Sequence, residues 1–153
     1  NGVFGVNAAI TRGQIVTILY RMEGEPGVDG LENAFTDVKE GKFYTEAVLW
    51  AASQGIVEGN GDGTFKPEAA ITREQLAAIL YRYDGEQAVA EDVLSAFSDA
   101  GKVSNFAKEA MNWAVANGLI NGIGNGASAT LSPTASASRA QFATILMRYM
   151  TEE

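Results

Sequence analysis

The sequence predicts an all-α fold built from an internal repeat. Three observations carry this. A helix-start motif occurs three times, as Ile10-Thr11-Arg12-Gly13-Gln14-Ile15, Ile71-Thr72-Arg73-Glu74-Gln75-Leu76 and Ala137-Ser138-Arg139-Ala140-Gln141-Phe142. Each copy runs into apolar residues at i, i+3, i+4 and i+7, the spacing of one buried helical face. These are Ile15, Ile18, Leu19, Met22; Leu76, Ile79, Leu80, Tyr83; and Phe142, Ile145, Leu146, Tyr149. A second helical pattern, opened by Phe-x-Asp, stands between successive copies of the motif.

Composition narrows the chemistry. The chain has 153 residues, 46% of them hydrophobic, which supports a packed core. It has no Cys and no His, which removes thiol chemistry, disulfides, imidazole catalysis and most zinc sites. No cofactor is called for. A formal net charge of −8 argues against nucleic acid or anionic membranes as partners. No apolar run approaches the ~20 residues of a membrane span. Residues 1–10 lie without gaps over residues 62–71, so Asn1 opens in mid-repeat. The chain is therefore expected to be a piece of something longer.

In order, the first helix is predicted over Arg12–Met22. Thr11 is its N-cap, and Gln14 stands three residues later, which is the capping-box spacing. Ile10 and Ile15 flank the cap as a hydrophobic staple. The same signals open the helices at Arg73 and Arg139. Three equivalent amphipathic helices predict a three-helix bundle with approximate threefold symmetry, the alternative being three helices packed on separate units. Residues 23–34 and 84–96 read as acidic linkers, with Leu31, Val93 and Leu94 suited to short helical turns. Phe35-Thr36-Asp37-Val38 and Phe97-Ser98-Asp99-Ala100 open the next units. Helices follow over roughly Tyr44–Gln54 and Ala107–Asn117. Their apolar faces are Tyr44, Ala47, Val48, Ala51 and Ala107, Ala110, Met111, Ala114, with Gly55 and Gly118 as C-caps. Gly59–Pro67 is a turn-rich loop. It lacks the regular oxygen ligands and closing Glu of a calcium loop, and its longer counterpart at 121–133 has no Asp. No metal site is expected.

Arg12, Arg73 and Arg139 occupy the first helical position, where a cation opposes the helix dipole at a cost of about 0.3–1 kcal/mol. Two partners would offset that cost: a carboxylate from a neighbouring repeat, or an acidic group on a ligand held by guanidinium and helix end together. Arg21, Arg82 and Arg148 recur nine residues later, near helix C-termini, and read as structural. Trp50 and Trp113 hold matching places beside the apolar stripes and suit either the core or the face of a sugar ring. Asp37 and Asp99 also occupy equivalent repeat positions, as structural residues do, which argues against reading them as a glycosidase pair.

The order Phe-x-Asp-Val, helix, Gly-Ile-Val-x-Gly, Asp-Gly-Thr-Phe-x-Pro, Ile-Thr-Arg-x-Gln resembles the S-layer homology (SLH) domain. Residues 35–83 and 97–150 match as full repeats, residues 1–22 as the second half of a first, and 23–34 and 84–96 as linkers. Together they are expected to form one compact domain. Gln stands where the family usually has the Glu of Thr-Arg-Ala-Glu, and keeps its capping role. The resemblance implies a central three-helix bundle with first helices projecting as prongs. It implies a non-catalytic module outside a bacterial cell, at the cell wall or S-layer. Such a module anchors surface proteins to secondary cell-wall polysaccharide, often through pyruvylated sugars held between prongs. The motif arginine's role carries over to Arg12, Arg73 and Arg139, with Trp50, Trp113, Asp37 and Asp99 as further carbohydrate-binding candidates. The incomplete first repeat leaves at most two competent grooves and an open edge that invites dimerisation or domain exchange, a protein–protein alternative to glycan binding. The long loop from Gly122 to Ser132 is expected to alter one groove wall.

Overall fold

The computed structural model describes residues 8–59, 61–123 and 129–151. Among these it is all-α. The helices are α1 (Arg12–Met22), α2 (Thr45–Ser53), α3 (Arg73–Tyr83), α4 (Lys108–Ala116) and α5 (Arg139–Thr151). Single 3-10 turns stand at Leu94–Ala96, Ala100–Lys102 and Asn105–Ala107. Strand pairing is limited to isolated antiparallel bridges. The chain divides into two compact units, Ile10–Ala70 and Ile71–Glu153 with Asn1–Ala9. Packing therefore groups α1 with α2 and α3 with α4, a motif helix with the first helix of the following repeat in both cases.

All three motif helices begin with the expected capping box. Thr11 Oγ1 accepts from Gln14 N at 3.1 Å, and Gln14 Oε1 accepts from Thr11 N at 2.9 Å. Thr72 with Gln75, and Ser138 with Gln141, repeat the exchange. Gly55 and Gly118 sit just past α2 and α4 at φ of +74° and +72°. There Ile56 N donates to Ala51 O and Leu119 N to Ala114 O, which satisfies helix-end carbonyls.

In the unit Ile10–Ala70, α1 packs on α2. Ile15 and Leu19 are buried as predicted, but Met22 is exposed, while Val16, Thr17 and Tyr20 are buried. The single stripe was too narrow because α2 covers a second face of α1. Tyr20 meets Trp50 there, ring centroids 5.6 Å apart, and its hydroxyl donates to Pro26 O at 2.8 Å, fastening the linker. In the unit beginning at Ile71, α3 packs on α4 in the same way. Tyr81 meets Trp113 at 5.6 Å and donates to Glu86 O. Tyr149 of α5 adds a contact to Trp113 at 6.4 Å and donates to Asp84 Oδ1 at 3.0 Å.

The two units solve one packing problem with different volumes. At the second position of α1, a Cβ on Gly13 would lie 2.9 Å from Pro67 O and 3.2 Å from the Tyr44 ring. In α3 that position is Glu74, and the residue matching Tyr44 is the small Ala107. Glu74 is buried with its carboxylate accepting from Ser104 N at 2.8 Å and Ser104 Oγ at 2.7 Å.

Trp113 touches both Tyr81 and Tyr149, so its removal should leave a large apolar gap. Trp113→Ala is expected to lower unfolding stability by about 3–5 kcal/mol, read from urea denaturation followed by circular dichroism.

Candidate functional site

The first backbone N–H groups of the motif helices are not left open. Arg12 N donates to Ala69 O at 3.0 Å and Gly13 N to Pro67 O at 2.7 Å. Arg73 N and Glu74 N donate to Ala135 O and Pro133 O, both at 2.9 Å. Arg139 N donates to Ala8 O at 3.0 Å. With the third N–H taken by the Thr or Ser cap, the start of α1 and of α3 has its first three donors satisfied inside the protein. At α1 and α3 the expectation that a helix end would join the guanidinium in holding an anion is corrected accordingly. In α1 and α3 those amides already hold the loop that leads to the next motif.

The arginines explain why that loop sits there. Arg12 is 8% exposed, its Nε donates to Phe65 O at 2.8 Å, and its guanidinium carbon lies 4.6 Å from the centre of the Phe65 ring. Arg73 is 4% exposed, with Nε donating to Leu131 O at 2.8 Å and Nη2 to Asn121 O at 3.0 Å. Burial lowers the pKa of both guanidinium groups, while Asp37 opposes the shift at Arg12 and Asp99 opposes it at Arg73. Arg139 is exposed on α5.

Asp37 and Asp99 hold the same loops from the other side. Asp37 accepts from Phe65 N at 2.9 Å and Lys66 N at 2.8 Å. Asp99 accepts from Leu131 N and Ser132 N, both at 2.9 Å. Each carboxylate thus has one oxygen on each of two successive amides. Trp50 and Trp113 are core residues, 6% and 5% exposed, the first of the two placements their spacing allowed.

Of the sequence candidates, Arg73 is the one that lines a described cleft. This cleft, about 240 Å³, lies within the unit beginning at Ile71 and is bounded by Arg73, Leu119, Ile120, Asn121 and one face of α5. That face contributes Ala140, Gln141, Thr144, Ile145 and Arg148. Arg148, read from sequence as structural, therefore joins Arg73. Its Nη1 donates to Leu119 O at 3.4 Å. With the Asn121 amide turned so that its oxygen faces Arg148, that oxygen accepts from Nη1 and Nη2, both at 3.2 Å. The lining has two guanidinium groups and no carboxylate, in a chain of net charge −8. Its volume falls below the ~300–1,000 Å³ of a drug-sized ligand pocket, so it suits one sugar-sized group. Arg148 was missed because its position alone fits a helix-dipole role. Its pairing with the residue after Gly-Leu-Ile becomes visible only in three dimensions.

Part of the loop from Gly122 to Ser132 falls on residues 124–128, outside the described residues. Its ends are joined by Ile123 N donating to Thr130 O at 2.7 Å and Thr130 N to Ile123 O at 2.9 Å. Among the described residues, no group of three or more Asp or Glu could hold a metal ion, and no helix is long and apolar enough to cross a membrane.

The S-layer homology domain family pattern matches residues 34–77 and 96–143. The chain belongs to this family. It is 34% identical over 97% of its length to the surface-layer 125 kDa protein of Lysinibacillus sphaericus, covering 12% of that protein. It is 32% identical over 92% of its length to an amylopullulanase of Thermoanaerobacterium thermosulfurigenes, covering 7% of it. Over 96% of its length it is 27% identical to a cellulosome-anchoring protein of Acetivibrio thermocellus, covering 33% of it. Among solved structures it is similar to an undecaheme cytochrome from the S-layer of Carboxydothermus ferrireducens. That likeness has a TM-score of 0.49 and 20% identity, and covers 94% of this chain and 21% of the other. The chain spans a minor part of each relative. It is an extracellular, cell-surface module of the anchoring type, and the enzymes among its relatives are far longer than the segment they share with it.

Asp99 has a lowered pKa. Burial alone would raise it, but the hydrogen bonds from Leu131 and Ser132 outweigh burial. A carboxyl whose folded pKa is depressed stabilises the fold above its unfolded value, and that contribution disappears as pH falls through the lowered one. The chain should therefore lose stability below about pH 4, the ordinary Asp range. Asp99→Asn should be less stable at pH 7 and show a flatter decline into acid, read from urea midpoints across the pH series.

Proposed function

We propose that this module anchors its parent protein by binding an acidic, pyruvylated sugar of secondary cell-wall polysaccharide in the Arg73–Arg148 cleft. One observation supports this above the others: two guanidinium groups face a sugar-sized cleft whose lining carries no negative charge. Arg73 is already oriented by Leu131 O and Asn121 O, so little side-chain entropy is lost when it meets a carboxylate. Gln141, Thr144 and Asn121 supply neutral donors and acceptors suited to sugar hydroxyls. Asp99 and Trp113 serve this reading indirectly, by holding the Leu131–Ser132 loop and the helices of the same unit, while Asp37 and Trp50 hold the corresponding parts of the unit Ile10–Ala70. The cellulosome-anchoring relative is in keeping with an attachment role.

The test is retention on purified cell walls, before and after stripping of the polysaccharide and after removal of its pyruvate. Binding should weaken with added salt, since the central contact is ionic. Arg148→Ala should reduce retention at least tenfold while the fold persists, and Arg21→Ala should leave it unchanged. Equal retention by the Arg148 variant, or indifference to depyruvylation, would refute the proposal.

One observation favours a second reading, assembly with another helix through the outer face of α5. Tyr20 and Tyr81 are covered by α2 and α4, but the matching Met147 is 61% exposed and Met150 is also open. Light scattering behind size exclusion decides it: concentration-dependent mass that Met147→Glu abolishes supports assembly, and a strict monomer excludes it.

A further inference from the structure

We infer that the exposed face of α5 is a docking surface for one kind of partner, a helix of the α2 and α4 type carried by a further S-layer homology repeat. This deepens the second reading above by naming the helix. The other two motif helices serve as templates, each within its own unit. Four positions of α1, Gly13, Val16, Thr17 and Tyr20, are buried, and so are their counterparts in α3, Glu74, Ala77, Ala78 and Tyr81. The covering segments meet these positions directly. Tyr20 lies on Trp50 and Tyr81 on Trp113, both at 5.6 Å, and Glu74 accepts from Ser104. The same four positions in α5 are Ala140, Ala143, Thr144 and Met147, and all are exposed. Among the described residues, no helix packs on α5 as α2 packs on α1 and α4 on α3.

The α5 face is built to be covered. Thr144 is the polar member of the four, and its Oγ1 donates to Ala140 O at 3.0 Å. Thr17, at the matching place in α1, donates to Gly13 O at 2.7 Å and is buried in that state. The hydroxyl is thus satisfied inside its own helix and needs no water once a partner covers it. Met147, unbranched and polarisable, adapts to an aromatic ring laid over it. Charge selects the occupant. Residues 139–151 contain Arg139 and Arg148 and no Asp or Glu. Both covering helices have a glutamate in the first turn, and it stands at the seam: Glu46 lies 3.5 Å from the Tyr20 hydroxyl and Glu109 lies 3.4 Å from that of Tyr81. Such a helix complements the charge of α5, whereas a second α5 would bring two more arginines against it. In the register of the templates its tryptophan seats over Met147. Ala140 and Thr144 also line the Arg73–Arg148 cleft, so the docked helix stands at the edge of that cleft.

The experiment titrates the intact chain into a fluorescein-labelled peptide of residues 105–118 and reads fluorescence anisotropy. The peptide is held helical by a hydrocarbon staple between positions 108 and 112, which lie off its packing face of Ala110, Met111, Trp113 and Ala114. Binding should be saturable. Met147→Glu in the chain should weaken it at least tenfold, and so should Trp113→Ala in the peptide. Met147 is exposed, so its variant should keep the parent's circular dichroism and melting temperature. Absence of binding, or binding that Met147→Glu leaves unchanged, would overturn the inference. Light scattering on the same samples separates it from self-assembly. A strict monomer that binds the peptide excludes self-assembly and supports the inference, as does a dimer that the peptide dissociates. A dimer that the peptide fails to dissociate assigns the face to a second copy and overturns it.

Discussion

The structure depends on a clamp between a motif helix and the loop that leads to the next motif. In the unit beginning at Ile71, Arg73 reaches Leu131 O, its backbone N–H reaches Ala135 O, and that of Glu74 reaches Pro133 O. Asp99 takes the amides of Leu131 and Ser132 from the opposite side. The loop, whose Leu131 is fully buried, is thereby also held by its backbone, donor and acceptor alike. The unit Ile10–Ala70 repeats the arrangement with Arg12, Gly13 and Asp37 acting on residues 65–69. A cation at a helix start, unfavourable when judged from the helix alone, is accounted for once the loop carbonyl and the nearby Asp are included.

The clamp also produces the cleft. Because Arg73 is committed to the loop through Nε, its terminal nitrogens point toward the turn after α4, where Nη2 meets Asn121 O. Asn121 in turn stands beside Arg148. Two charged groups that would repel in isolation are held near one another by neutral oxygens instead of carboxylates. Asp99 offsets part of the charge on Arg73 from the loop side, and the lining of the cleft adds no further carboxylate. Arg73 thus both holds the loop and lines the cleft, whereas Arg148 lines the cleft and reaches Leu119 O at the turn after α4.

Repetition in the chain is strict in backbone bonding and loose in volume. Gly13 against Tyr44 and Glu74 against Ala107 fill equivalent space with opposite allocations of bulk. Exact small-to-large changes at one member of either pair would overpack it, so the two positions are coupled. Departures between copies are therefore of two kinds. Some, like these, compensate within a unit. Others, like Glu58 against Asn121, change the charge at matching positions after a helix-ending turn.

Capping boxes, helix-ending glycines and the 3.6-residue period determined the helices, because each acts through neighbours within about one turn. The ends of α1, Arg12–Met22, are those these signals predict, and the family was legible in the order of short motifs. The tertiary structure decided which face of α1 is covered, that Trp50 and Trp113 lie in the core, and that Asp37 and Asp99 hold loops. It also decided that the helix-start amides are spent inside the protein and that Arg148 shares a cleft with Arg73. The physical reason is distance along the chain. A guanidinium on α3 and a carbonyl 58 residues later have no local pattern that joins them, and only folding brings them within 2.8 Å.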